Sequence, residues 1–114
     1  MLVLSDIGPE VASKPVAQSY IDGYKKLYGQ EPGAFGANVY DAGLLLNASV
    51  PISAKKAKPG TPEFRAALRD ALEEVRELVG AQGVYNMTPQ DHSGFDQRSI
   101  VMIVVNNGAW KLAK

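Results

Sequence analysis

His92 is the single histidine of the chain, with Asp91 beside it and Asp96 four residues on. An imidazole among carboxylates is the residue set of a metal site, or of a general base held by an orienting acid. Such sites are recognised by geometry and not by adjacency in sequence. For one histidine in a polar loop, a hydrogen-bonded structural residue is the commoner outcome, and an enzyme built on Asp91 and His92 is the outside reading. The remaining chemistry is excluded more directly. With no cysteine, disulfides, thiolate catalysis and cysteine zinc sites are ruled out. No G-x-S-x-G elbow is present, nor a G-x-x-x-x-G-K-[ST] or G-x-G-x-x-G phosphate loop. The sequence therefore predicts no catalytic residue, no metal ligand and no cofactor.

Aromatic residues offer a different chemistry. Tyr20, Tyr24 and Tyr28 recur at helical spacing, a pattern that core packing usually explains. Phe35 stands apart between Pro32-Gly33 and Gly36, where the chain turns into a helix. Helix amino ends carry unpaired N–H groups and partial positive charge, and ligand pockets favour aromatics beside convergent backbone polar groups. Phe35 is thus either a core plug or the wall of a ligand cleft.

Three helices and a few strands must position these residues. Ser13 and Pro15 open the first helix, about residues 15–28, with Gly29 as its stop and Lys25 and Lys26 in its last turn. The second, about 36–50, is apolar on nearly every side and is expected to be a buried core helix. A lysine-bearing loop, Pro51 to Gly60, follows and reads as a solvated connection, with anion binding the minority alternative. Thr61 and Pro62 begin a third helix, about 62–79. Its apolar stripe faces a solvated side of mixed charge, whose carboxylates are poorly placed for glycosidase chemistry. Val84 to Met87 is a short extended piece. Ser99 to Val105 reads as a strand buried on both faces, joined through Asn107-Gly108 to a partner in a β-hairpin, about 99–105 and 109–113. Leu2 to Ile7 is a further candidate strand.

Twelve basic and twelve acidic residues give a net charge of zero, which argues against nucleic acid as a partner. The 114 residues suit one small α/β domain. No membrane span and no secretion signal is visible.

The ordered series YKKLYGQEPGAF, VYDAGLLLNASV, PGTPEFRAALRDALEEV, GVYNMTPQDHSGFD and IVMIVVNNGAWKL resembles the C-terminal part of a solute-binding protein of the branched-chain amino-acid (Leu/Ile/Val-binding-like) ABC-transporter type. The resemblance covers nearly everything from about Ser13. It implies a partial lobe of the type I periplasmic-binding-protein fold, in which ligand is captured without catalysis in a cleft between two lobes. It also implies a periplasmic location, a membrane permease as partner, and an amino acid or related organic acid as ligand. Phe35 matches the family's aromatic at the opening of the second helix and is the one ligand-binding residue carried over. A sensor domain of the same fold, or a structural remnant without ligand binding, are the alternatives. If this is the whole polypeptide, helices that ordinarily cover a sheet would expose apolar faces, so the isolated chain is expected to be a homo-oligomer, with or without exchanged strands.

Overall fold

A computed structural model of the protein describes Gly8 and residues 11–113; the candidate strand at Leu2 to Ile7 lies outside them. Helix α1 spans Lys14–Tyr28, α2 Ala34–Ala54 and α3 Pro62–Glu73. Two short antiparallel pairs follow: β1 (Leu78–Val79) with β2 (Val84–Tyr85), and β3 (Ile103–Asn106) with β4 (Ala109–Leu112). No described helix is long and apolar enough to cross a membrane.

The helix boundaries have local causes. Gly29 closes α1 in the left-handed conformation at φ 69°, as the sequence predicts. Thr61 caps α3, its hydroxyl accepting from the Phe64 N–H at 3.2 Å. Ser13 sits at the amino end of α1 but makes no side-chain cap.

Three expectations about element limits require correction. Helix α2 runs through Pro51 to Ala54, so residues 51–54 are helical and not loop. Ser53 holds that last turn in place, its buried hydroxyl lying 2.9 Å from the Ser49 carbonyl and 3.2 Å from Ala67 O on α3. Helix α3 stops at Glu73, six residues early. Beyond it Arg76 Nη1 donates to the carbonyls of Glu73, Val75 and Met87, and Glu77 turns left-handed at φ 48°. Asn86 stabilises that turn by accepting from Glu77 N at 3.0 Å. Leu78 and Val79 are thereby released into strand pairing with Val84 and Tyr85. The third correction concerns the C-terminal hairpin. Residues 97–99 are a 3₁₀ turn, β3 starts only at Ile103, and every residue of β3 is exposed, where burial on both faces was expected. Its turn is as predicted: Asn107 and Gly108 both have positive φ (51° and 76°), the signature of a two-residue type I′ connection.

The core lies on an unexpected side of α2. Its fully buried residues are Asp41, Ser49 and Ser53, in one row at four-residue multiples. Around that row Val39 is 74 % exposed, and Leu46, Val50 and Ile52 are also exposed. The expected all-round burial is therefore wrong: the small and polar row packs inward, against Ala67 and Ala71 of α3 and the β1–β2 turn, while Val39, Leu46, Val50 and Ile52 stay exposed. A compact apolar cluster of Val75, Tyr85 and Met87, flanked by Leu45 and Leu78, completes the inner side. Helix α1 contributes no buried residue, so its tyrosine row is not core. It rests on α2 through Tyr20 and Tyr40, whose rings are 4.9 Å apart.

The dimensions are those of an extended chain and not of a compact one. The accessible surface is 7949 Å², whereas a compact monomer of this mass exposes about 6,100 Å². The radius of gyration, 16.7 Å, exceeds the roughly 13 Å of a compact chain this long.

Candidate functional site

The amino end of α2 is built around one carboxylate. Asp41 is 0 % exposed. Its Oδ1 accepts from the Ala81 N–H at 2.6 Å, and its Oδ2 from the Gln82 N–H and the Tyr85 hydroxyl, each at 3.0 Å. A buried carboxylate requires such donors, because an unpaired charge would be far costlier. Burial, and then the hydrogen bond to Asp41, push the Tyr85 phenol well above its ordinary range, so it stays a donor. The Gly80–Gly83 turn is closed by Gly80 N donating to Gly83 O at 2.8 Å. Gly80 must be glycine on steric grounds: a Cβ there would lie 2.6 Å from Asp41 Oδ2 and 2.7 Å from Tyr85 Cε2. One turn nearer the helix start, Gln82 Nε2 donates to Asn38 Oδ1. The turn is thus fixed to the first turns of α2 by both main chain and side chain.

Phe35 projects beyond this clasp. It lies inside the first turn of α2, with Gly33 at the cap position, and not ahead of the helix. Its ring is 84 % exposed, which rules out the core-plug reading. The arrangement offers an apolar face on a rigid helix end, beside the paired amides of Asn38 and Gln82.

A concavity lies between α2 and α3. This groove of about 560 Å³ has an apolar floor that includes Leu45, Leu46, Leu68, Leu72 and Met87, and Phe35 does not line it. His92 stands at its rim, 64 % exposed, with Nε2 3.1 Å from Glu73 Oε1. Asp91 is otherwise engaged, its Oδ1 accepting from Ser93 N and Gly94 N to shape the loop. Asp96 pairs with Arg98, which also holds Glu77 through two bonds of 2.9 Å. The structure therefore separates Asp91, His92 and Asp96. No group of three or more potential metal ligands occurs among the described residues. Asp41, the residue around which the helix end is organised, escaped the sequence reading. Its signal was there: an acid within an apolar helix must have buried donors waiting for it.

No family profile matches the chain, and no curated protein does. Solved structures do. An extracellular ligand-binding receptor from Rhodopseudomonas palustris superimposes with a TM-score of 0.82 at 36 % identity, covering 97 % of this chain and 31 % of the receptor. Two extracellular ligand-binding receptors from strain HaA2 of that organism give TM-scores of 0.83 and 0.82 at 32 % and 38 % identity, with similar coverage. The chain thus has the fold of a partial lobe of the type I periplasmic-binding-protein kind, as its resemblance implied. More particularly, it matches one segment of these extracellular ligand-binding receptors and spans about 31 % of their length.

Proposed function

We propose that this chain supplies one wall of the ligand cleft of a solute receptor serving an ABC-transporter permease in the periplasm. Phe35 is the contact residue in this reading, and the ligand is a small organic acid, the branched-chain amino acids included. The observation that carries it is the exposed Phe35 ring on a helix end locked by Asp41, in a chain similar over nearly its whole length to extracellular ligand-binding receptors. The opposing wall is assigned to the remaining part of a receptor-length protein, since the matched receptors are about three times as long. Closure over the ligand then buries the ring against an aliphatic or aromatic side chain.

A thermal-shift screen of a receptor-length protein containing this chain, with amino acids and aromatic acids, tests the reading. A ligand at a hundred times its Kd adds about 2.7 kcal/mol to stability. A melting temperature raised by one of these ligands, and lowered again by Phe35→Ala, is the expected result. Indifference to every compound, or full binding by the alanine variant, would reject it.

A further inference from the structure

Phe35 is flanked on both sides by side chains brought from elsewhere in the fold. Along an α-helix, Gly36 lies about 100° to one side of Phe35 and Asn38 about 60° to the other. On the Asn38 side stands Gln82 of the β1–β2 turn, donating through Nε2 to Asn38 Oδ1. On the Gly36 side stands Tyr20 of α1. A Cβ at Gly36 would collide with the Tyr20 hydroxyl and come within 3.4 Å of its Cζ. The position beside Phe35 must therefore be glycine for that hydroxyl to lie there. The Tyr20 ring is held by its neighbours, with Tyr40 at 4.9 Å and Tyr24 at 6.2 Å between centroids. Its hydroxyl makes no hydrogen bond among the described residues. Burial, and then Tyr24, push the phenol above its ordinary range. The group therefore keeps its proton at neutral pH and can both donate and accept.

These flanking side chains are neutral. Asp41, the acid of the same turns, is buried and engaged by three donors. The amides of Asn38 and Gln82 are bonded to each other, whereas the Tyr20 hydroxyl has its whole capacity unused. We infer, resting on the ligand-cleft reading of Phe35, that Tyr20 is a second and specificity-determining contact of that site. Its hydroxyl reads a neutral polar substituent, a hydroxyl or carbonyl, on the part of the ligand that lies over the Phe35 ring. A charged substituent would lose its water there without gaining a counter-ion. A purely apolar one would leave the phenol unpaired once closure excludes water. Sites that hydrogen-bond a ligand hydroxyl discriminate, for this reason, against the analogue lacking it.

The probes are matched pairs that differ by one hydroxyl: L-tyrosine with L-phenylalanine, L-threonine with L-valine, and para-hydroxybenzoate with benzoate. Calorimetric titration of a receptor-length protein containing this chain, and of its Tyr20→Phe, Gly36→Ala and Phe35→Ala variants, gives each Kd. The unmodified protein should bind the hydroxylated member of at least one pair roughly tenfold more tightly, the worth of one hydrogen bond. Tyr20→Phe keeps the ring and its packing. It should abolish the preference by weakening the hydroxylated member alone, with the urea midpoint unchanged. Gly36→Ala, which drives the hydroxyl aside, should also remove the preference, and should add nothing to Tyr20→Phe. Equal loss of both members in Tyr20→Phe would mark a merely structural residue and overturn the inference. So would an undiminished preference in that variant, or no preference in any pair by the unmodified protein. Phe35→Ala separates this contact from the cleft itself. If that variant weakens both members while Tyr20→Phe changes neither, the cleft stands and the Tyr20 contact falls. If it binds both as the unmodified protein does, the cleft reading fails and the Tyr20 contact with it.

Discussion

The hydroxyl of Tyr85 donates to Asp41 Oδ2 across 3.0 Å, joining residues 44 positions apart in sequence. The carboxylate is otherwise held by two main-chain N–H groups. Helix, turn and strand therefore converge on one buried charge. Asp41→Ala strands all three donors and should cost about 3 kcal/mol, by the usual penalty for leaving buried polar groups unpaired. Tyr85→Phe removes one bond and should cost about 1 kcal/mol. Urea unfolding of both single variants and the double variant measures the coupling; simple additivity would show that the hydrogen bond carries none.

Gly80 faces the same carboxylate. Because an added Cβ would meet Asp41 and Tyr85 side chains at 2.6–2.7 Å, Gly80→Ala should destabilise by about 1–3 kcal/mol through overpacking. A shift of the urea midpoint in the stabilising direction would mean that the turn relaxes away from α2.

Acid should act first at Arg98. Its guanidinium, with help from the Asn86 amide, lowers the Glu77 carboxyl from 4.5 to about 2. Arg98 also holds Asp96 below the ordinary carboxylate range. A lowered folded-state pKa means that the unfolded chain takes up protons more readily, so acid favours unfolding. The stabilisation from Glu77 is complete above about pH 4.5 and lost as pH falls toward 2. Unfolding midpoints measured across that window should fall less steeply for Arg98→Ala than for the unmodified protein.

Phe35→Ala should leave stability within about 0.5 kcal/mol, as for surface positions in general, because the ring is solvent-exposed. Any larger loss by calorimetry would show that the ring packs within the fold and is not held free for a ligand.

His92→Ala should likewise change stability by less than about 0.5 kcal/mol, the ordinary worth of an exposed pair such as His92–Glu73. Chemical unfolding at pH 7 checks this, and a marked loss would reveal a structural role at the groove rim.

The sequence disclosed the features that rest on local chemistry. Gly29, the Thr61-Pro62 start and Asn107-Gly108 each act through their own backbone, and each is where it was expected. It misled where distant contacts decide. The stripe of α3 continues to Val79 on paper, but Arg76 and Asn86 stop the helix at Glu73. The side of α2 that turns inward was illegible for the same reason, since the partners of Asp41 and Ser53 lie 14 to 44 residues away. Phe35 could be singled out from its glycine neighbours, whereas the clasp that steadies its helix could not.

The inward polar row of α2 has one last consequence. Saturation mutagenesis would find the ordinary hydropathy rule reversed at these positions of α2: charge tolerated at Val39, and even a single methyl group resented at Ser49 or Ser53. A profile that weighs greasiness alone would aim stabilising redesign at the wrong flank of the rod.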